Sequence, residues 1–349
     1  MNKPLFIMAL LDAPVRAHKF SDSAWLKFFK NAHKVKVDYL RVFPFWGGHK
    51  EGRTEMYLRE PCGHFNLDKP NPDYDYQLGR LNRLARRYGL RLLYDFFDNC
   101  SCHIDARHNN PWYNNRNGVN GMYDYTPKAI GYFKRHIDRI YGVLGLGGTM
   151  YSLGNELRFP QENNVQARKK WAMGWAKPLA EHIKALPYER PIYFSASDIT
   201  GHKIMGYCSP EDGSTIGYNG LVNQIHGIST AEFYKERWEG KLTSAATRVY
   251  AYSDDGVGCN PESVVPVGMR GRCSRKKHDP RYIFCCSGNN AVRIAAVMAM
   301  WEDIGDRLHS VEFLPREIAE DEKIGHISPK FSLDVYKYLA DEFKRKGVV

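Results

Sequence analysis

Eight apolar, strand-like runs alternate with helix-like runs along the chain of 349 residues. The candidate strands are rich in branched and aromatic residues and lie at 4–12, 37–46, 90–98, 149–156, 191–197, 221–228, 247–255 and 309–315. Helical patterns lie at 21–35, 72–89, 126–144, 167–186, 230–242, 290–308 and 332–347. Eight strands, each followed by a helix or crossover, is the count of a (β/α)8 barrel. We therefore predict an α/β fold: a single (β/α)8 (TIM) barrel domain over residues 1–349.

The alternative α/β architecture is an open, doubly wound sheet. Such a sheet usually carries a Gly-rich phosphate loop directly after its first strand. Residues 12–23 read DAPVRAHKFSDS, which contains neither G-x-G-x-x-G nor a P-loop lysine. The sequence therefore favours the barrel.

Composition narrows the possible partners and cofactors. No run approaches the ~18 apolar residues of a membrane span. The net charge is +11, with a local cluster RGRCSRKKH at 270–278. Such an excess indicates either a solvated surface or an acidic polymer as partner. It comes without a helix-turn-helix, zinc-finger or RNP-like pattern, so we do not expect nucleic-acid binding. The eight cysteines lack zinc-ligand spacing, so we expect ordinary thiols and predict no metal and no cofactor, with a disulfide or metal in the segment 259–286 as the alternative.

The first residues, MNKPLFIMALLDAPVRAH, combine a lysine with an apolar run. A signal peptide would have a longer apolar run and a small-residue cleavage site. Here the run meets Asp12 at once, which indicates a buried strand instead. We therefore expect a cytoplasmic protein, or one released by a non-classical route.

Polar residues collect where the candidate strands end. In a (β/α)8 barrel the carboxyl ends of the strands and the following loops build the site. These positions hold Asp12, Arg41, Trp46, Asp95, Asp98, Asn99, Asn155, Glu156, Ser197, Asp198, His226, Asp254, Asp255 and Glu312. Long segments at 47–71, 99–125 and 256–289 follow strands on the same side. The sequence thus predicts a cleft at this end of the barrel.

Two carboxyl positions fit the cleavage of a glycosidic bond, which commonly needs an acid and a nucleophile or base. Glu156 closes the fourth candidate strand, and Asp254 closes the seventh within YAYSDDG. These strands face each other across a barrel mouth. Asp255 points away from Asp254 if the strand runs through both. The turn at Gly256 leaves open that Asp255 returns to the cleft and contacts substrate.

The Asn-Glu pair of YSLGNEL, together with Arg41 in YLRVF, resembles the clan of retaining (β/α)8 glycoside hydrolases that includes cellulases and mannanases. The resemblance extends over residues 65–99, the loop NPWYNNRNG at 110–118, and His226. It implies that Glu156 is the acid/base and that Asn155 binds the sugar 2-hydroxyl. It also implies that Arg41 supports a nucleophile on the seventh strand, and that the partner is an oligo- or polysaccharide.

The seventh strand departs from the clan's pattern. SDDG stands where the clan has Ser-Glu-x-Gly, which puts Asp254 in the nucleophile position. Asp is one methylene shorter than Glu, so its carboxylate is withdrawn by roughly 1–1.5 Å. Three interpretations stay open. Asp254 is a nucleophile on an adjusted backbone, a base that activates water with inversion, or part of a barrel that binds carbohydrate without hydrolysing it.

Further residues receive supporting roles. Trp46 and Trp112 either stack on sugar faces or pack in the core, whereas Trp301 is expected in the core. His226 either contacts the nucleophile or a sugar hydroxyl, or is a core histidine. The remaining polar rim residues are expected to bind hydroxyl groups at the cleft floor: Asp98, Asn99 and Glu312. The basic segment 256–288 is either a lid that reads an anionic glycan or a solvated insertion.

Overall fold

The structure, a computed structural model, describes residues 3–10, 13–44, 54–98, 108–145, 147–155, 157, 170–187, 190, 192–195, 221–226, 249–254, 294, 297–298, 301–302, 308–313 and 334–348. Within β-strands at 221–226 and 249–254 the description covers the backbone. The single-domain prediction for residues 1–349 stays a prediction.

Eight parallel strands form a closed barrel, which confirms the predicted fold. They are β1 (Leu5–Leu10), β2 (Tyr39–Val42), β3 (Arg91–Asp98), β4 (Met150–Asn155), β5 (Ile192–Ser195), β6 (Leu221–His226), β7 (Val249–Asp254) and β8 (Leu308–Phe313). Each strand pairs with the next in the chain, and β1 pairs with β8 to close the ring. Each observed strand lies almost wholly within its predicted apolar run, and most are shorter than predicted.

Helices follow several of the strands. They are α1 (Ala13–Arg16), α2 (Asp22–Lys34), α3 (Pro72–Arg86), α4 (Pro127–Leu144), α5 (Lys177–Ala185) and α6 (Asp334–Arg345). A short 3-10 helix (Ala17–Lys19) precedes α2, and a π-helical turn (Ala172–Ala176) precedes α5. Side-chain caps fix three helix starts: Ser21, Asn71 and Thr126 each accept a hydrogen bond from a backbone N–H in the first turn. Gly89, with φ of 72°, follows the last turn of α3 as the sequence predicted.

A hairpin lies within the predicted loop 47–71. Tyr57–Arg59 pairs antiparallel with Phe65–Pro70, and Gly63 with φ of 85° makes the turn between them. Its residues also contact the segment after β3, because Phe65 N donates to Asn114 O at 2.9 Å. The Arg59 guanidinium lies 3.9 Å from the centre of the Phe65 ring. The segment that the sequence presented as loop is therefore ordered by its own strand pairing and by this second contact.

Two layers of apolar side chains stabilise the barrel. The larger lies between the sheet and the helices, where Phe97, Phe133 and Trp175 pack ring against ring. The smaller fills the barrel interior with Ile7, Tyr39, Leu93, Met150 and Tyr193, one from each of five successive strands. Because side chains alternate along a strand, residues two positions after these point into the barrel as well. Among the described helices, none has the length and apolarity that crossing a membrane would require.

Candidate active site

A charged layer lies above the apolar layer of the barrel interior. Arg41, Asp95 and Ser152 each come two residues after an interior residue of the same strand, namely Tyr39, Leu93 and Met150. Glu312 takes the same place on β8. All four side chains are at least 95% buried. The sequence places them near the carboxyl ends of their strands, the end at which barrel sites form.

Arg41 is the centre of this layer. Its Nε and Nη2 donate to the two carboxylate oxygens of Asp95, at 2.7 and 3.1 Å. Its Nη1 donates to both oxygens of Glu312, at 3.1 and 3.3 Å. Nη2 also donates to Oδ1 of Asn155 at 3.1 Å. The planar guanidinium thus connects β2, β3, β4 and β8, in the fork geometry for which arginine is suited.

Asp98 extends this network by one further bond. It accepts a hydrogen bond from Nδ2 of Asn155 at 2.9 Å and is fully buried. Arginine only donates and an ionised aspartate only accepts, so these two partners fix which end of the Asn155 amide is oxygen. We refer to Asp98, Asn155, Arg41, Asp95 and Glu312 as the rim network.

Two strands change their side-chain alternation to build the rim network. Asp95 and Asp98 are three residues apart on β3, yet both belong to it, and on β4 Asn155 belongs to it three residues after the inward-pointing Ser152. Gly154 permits the change, because a Cβ there would lie 2.6 Å from the carbonyl oxygen of Phe97. The Ser152 hydroxyl accepts from Gly154 N at 3.1 Å and holds the local turn of the backbone. The rim network therefore depends on the absence of a side chain at residue 154.

The charges of the rim network do not balance. It holds three carboxyl groups and one guanidinium. Burial alone would lower the pKa of Arg41, but the charges of Asp95 and Glu312 and their hydrogen bonds raise it above its ordinary value. Arg41 is therefore a permanent cation. A buried cation shared between two carboxylates is rigid, since each departure leaves an unpaired charge.

No family model matches the chain, and no curated protein matches it either. Solved structures do match its fold. A GH5_18 variant from Streptomyces cattleya, in complex with Manβ1-4GlcNAc, has a TM-score of 0.59 at 13% identity over 99% of this chain and 82% of that chain. A GH5_18 from Bifidobacterium longum subsp. infantis has a TM-score of 0.54 at 14% identity over 97% and 79%.

A third match is the GH5 enzyme PbGH5A from Prevotella bryantii B14, solved as a mutant with the xyloglucan tetradecasaccharide XXXGXXXG. Its TM-score is 0.51 at 10% identity, over 91% of this chain and 85% of that chain. The chain's (β/α)8 barrel is similar in fold to those of solved family 5 glycoside hydrolases. At these identities the likeness shows the fold, and the resemblance to the cellulase-like clan is confirmed at that level.

Four of the predicted site residues lie together in this barrel. Arg41, Asp98, Asn155 and Glu312 are all members of the rim network. Glu312 was expected at a cleft floor that binds sugar hydroxyls, and Arg41 was expected to support Asp254. The described contacts of Arg41 go to Asp95, Asn155 and Glu312, and its support of Asp254 stays a prediction because the Asp254 side chain lies outside the description.

The other predicted residues are described in part or fall outside the description. His226 ends β6 and Asp254 ends β7, where Asp254 is the register partner of Phe313 and lies one position after the partner of Glu312. The side chains of both lie outside the described residues, as do Trp46, Asn99, Glu156 and Asp255 entirely. Glu156 follows Asn155 of the rim network directly in the chain, so the predicted acid and the network share one strand end.

Trp112 packs in the core, which was one of its two expected roles. Its ring has no exposed surface and lies 5.0 Å from Phe133 and 5.3 Å from His136, centre to centre. Neither face is available for stacking on a sugar, so its assignment as substrate-binding is corrected. Trp301 packs against Phe343 and is 5% exposed, as expected of a core residue.

Asp95 is the site residue to which the sequence analysis gave no role. It makes the shortest contact of the rim network, at 2.7 Å to Arg41 Nε, and is fully buried. A signal was present, because Asp95 follows Leu93 by two positions in an otherwise apolar strand and must point into the barrel. Among the described residues, no three His, Cys, Asp or Glu side chains are grouped so that they could hold a metal ion.

Proposed function

We propose that this protein is a glycoside hydrolase that cleaves a β-linked oligo- or polysaccharide. Glu156 is the general acid/base, and Asp254 is the nucleophile or the base that activates water. The observation that carries the proposal is the rim network. This network is a buried, charged and hydrogen-bonded group of side chains at the carboxyl ends of the strands. Its Asn155 directly precedes Glu156 in the chain, and its Glu312 lies on β8, the strand next to β7.

The proposed chemistry needs two carboxyl groups in different protonation states. Glu156 donates its proton to the glycosidic oxygen as the bond to the anomeric carbon breaks, and the leaving sugar departs as an alcohol. Asp254 either bonds to that carbon, after which water replaces it, or takes a proton from a water that attacks directly. The first course keeps the two carboxyl groups ~5–5.5 Å apart and the second ~6.5–9.5 Å. The distance between the carboxyl groups of Glu156 and Asp254 decides between the two courses.

In this proposal the rim network holds the groups around the reacting bond. Arg41 and Asp98 fix the orientation of the Asn155 amide, and Asn155 in turn precedes Glu156. Trp46, Asn99, His226 and Asp255 remain candidate substrate contacts. Preorganised polar groups of this kind act by being in place before charge develops on the sugar.

The substrate class is proposed from the same features. Solved structures of similar fold carry Manβ1-4GlcNAc and a xyloglucan oligosaccharide. We therefore propose a β-1,4-linked gluco- or manno-configured glycan as the first class to examine.

A panel of defined β-linked oligosaccharides tests the proposal. Wild type should release reducing ends from at least one member, and Glu156→Gln and Asp254→Asn should each remove nearly all of that activity. Glu181→Gln, an exposed glutamate of α5 that pairs with Lys177, is the matched control and should keep the wild-type rate. If Glu156→Gln and Asp254→Asn both cleave at the wild-type rate, the assignment of the catalytic residues is wrong.

A second candidate function is carbohydrate binding without hydrolysis. The aspartate at the end of β7, where a glutamate would reach further, favours it. Its mark is saturable binding of a panel member together with no reducing-end release on prolonged incubation.

A further inference from the structure

A cavity of about 190 Å³ lies at the opposite end of the barrel from the rim network. It is lined by Arg86, Gly89, Leu90, Arg91 and Gly147. Arg91 is the first residue of β3, and Gly147 precedes β4, so the cavity lies at the amino ends of these strands. A volume of ~10–15 Å³ admits one water molecule, so this cavity has room for a hydrated ion of several atoms.

Two arginines pack against two successive glycines beside this cavity. A Cβ added at Gly147 would lie 2.5 Å from Nη1 and 2.8 Å from Cζ of Arg86. At Gly148 a Cβ would lie 2.8 Å from Nε and 3.0 Å from Cζ of Arg91. Both guanidinium groups therefore occupy space that any other residue would fill. Since both arginines line the same cavity, two like charges face one space.

The positive charge at this place is not compensated by the neighbouring groups. Among the residues that the structure describes, no carboxylate forms an ion pair with Arg86, Arg87 or Arg91. The nearest acidic residue on the paired strand is Asp38, which directly precedes Tyr39, the register partner of Arg91. The Asp38 carboxylate already accepts hydrogen bonds from Lys3 Nζ at 3.1 Å and from Phe6 N at 2.8 Å. The carboxyl-terminal ends of α3 and α4 contribute roughly half a negative charge each. Arg86 and Arg91 bring two positive charges to the cavity, and the two helix ends offset about one of them.

The backbone around the cavity is fixed by hydrogen bonds. After α3, Gly89 N donates to Arg86 O at 3.0 Å and Leu90 N donates to Ala85 O at 3.2 Å, which closes the helix end. On the other side the Tyr39 hydroxyl donates to Gly148 O at 3.2 Å and accepts from Nη1 of Arg190 at 2.5 Å. The cavity is therefore preformed, and a ligand has little backbone to order when it binds.

We propose that this cavity binds a phosphate group through Arg86 and Arg91. A phosphate monoester or inorganic phosphate carries a charge of about −1.5 to −2 near pH 7, opposite in sign to the two guanidinium groups that face the cavity. Its oxygens also accept paired N–H donors from guanidinium groups, whereas a carboxylate offers half the charge. The site is independent of the proposed hydrolysis, because it uses none of the rim residues.

Titration of inorganic phosphate into the full chain tests the proposal, by isothermal calorimetry at constant ionic strength set with sodium chloride. Wild type should show saturable binding to one site. Arg86→Gln and Arg91→Gln should each weaken it by about tenfold or more, as expected for loss of a charge-assisted hydrogen bond. Arg87→Gln is the matched control: Arg86, Arg87 and Arg91 are all exposed, but Arg87 does not line the cavity, so the variant removes the same charge from outside it and binding should stay within about twofold.

A steric variant keeps the test independent of net charge. Gly147→Ala changes no charge but places a methyl group against the Arg86 guanidinium, so phosphate binding should weaken. Circular dichroism of each variant checks that the fold is intact. A sugar phosphate titrated in parallel distinguishes the two possible ligands, a phosphate monoester and the free phosphate ion. Tighter binding of the sugar phosphate than of inorganic phosphate indicates a phosphomonoester ligand, and weaker binding indicates the free ion.

Two results would overturn the proposal. One is the absence of saturable phosphate binding by wild type. The other is equal weakening by all three arginine variants, since this would reduce the effect to general surface charge.

Discussion

Arg41 and Glu312 are 271 residues apart in the chain, and Nη1 of the arginine lies 3.1 and 3.3 Å from the two carboxylate oxygens of the glutamate. The bond connects β2 to β8, the strands on either side of β1. Ala9, the register partner of Arg41 on β1, has a small side chain that leaves room for the guanidinium to pass. This contact closes the charged layer across the place where the first and last barrel strands meet.

Removal of Glu312 should destabilise the fold. Breaking a buried ion pair costs ~3–5 kcal/mol when one charge is left without a partner. Arg41 retains Asp95, so we expect about 3 kcal/mol for Glu312→Ala in the free energy of unfolding by urea, and less for Glu312→Gln. Glu181→Ala removes half of an exposed i,i+4 pair and should change stability by no more than ~0.5 kcal/mol. Equal effects of Glu312→Ala and Glu181→Ala would contradict the role of Glu312.

Asp98 should matter more for hydrolysis than for stability. Asp98→Asn removes the charge that orients the Asn155 amide but keeps the size of the side chain. We expect kcat on a cleaved oligosaccharide to fall by about tenfold or more, with KM changed less, because the amide then loses its fixed orientation. The measurement is steady-state kinetics beside urea unfolding. Wild-type kcat in Asp98→Ala would show that the contact is only structural.

Gly154 should not tolerate a side chain. A Cβ at this residue would lie 2.6 Å from the Phe97 carbonyl oxygen and 2.8 Å from Cδ2 of Leu157, so the backbone would have to shift. Overpacking of this kind costs ~1–3 kcal/mol. We expect Gly154→Ala to lose that much unfolding free energy, and hydrolysis to fall because Asn155 is the next residue. Gly142→Ala, in an exposed turn of α4 with no atom within 4 Å of the added Cβ, should instead gain up to ~1 kcal/mol.

His309 should make stability depend on pH in the acid range. Burial and the nearby charge of Arg190 lower the pKa of His309 from 6.5 to about 4. In the unfolded chain the imidazole takes up its proton near pH 6.5, so between that pH and 4 protons favour the unfolded state. The unfolding free energy that the neutral His309 contributes is therefore complete above pH 6.5. It is lost as the pH falls towards 4, by at most ~3 kcal/mol.

His309→Gln isolates this contribution. Urea unfolding of wild type and variant at pH 7, 6 and 5 should give stabilities that converge as the pH falls. His136, whose pKa is also lowered by burial, is unchanged in the variant and drops out of the comparison. Parallel curves at all three pH values would show that His309 does not titrate as stated.

Much of the fold could be read from the sequence, and the reason is physical. Interior strands of a parallel barrel are buried on both faces and appear as apolar runs, which is why eight of them were recognisable. The polar residues that end those runs identified the site end of the barrel. The hairpin at 57–70 was not predicted, because its first strand, Tyr57–Arg59, is too short for an alternation of polar and apolar residues to be recognised.

The pairing within the site could not be read from the sequence. The bonds of Arg41 to Asp95 and Glu312 depend on distances between strands that are far apart in the chain. The alternation change at Gly154 also hides which residues of β3 and β4 point inward. Trp112 illustrates the same limit of pattern reading, because an aromatic residue in a loop beside a barrel rim fits both stacking and packing until its neighbours are known.

The role of Glu156 as general acid is tested most directly by the leaving group. A natural oligosaccharide needs its glycosidic oxygen protonated, whereas a dinitrophenyl glycoside releases its phenolate without help. We predict that Glu156→Gln lowers cleavage of the oligosaccharide by ~10²–10⁴-fold. The initial release of dinitrophenolate from the matching aryl glycoside should stay within about tenfold of wild type. An equal loss on both substrates, or none on either, would contradict the account.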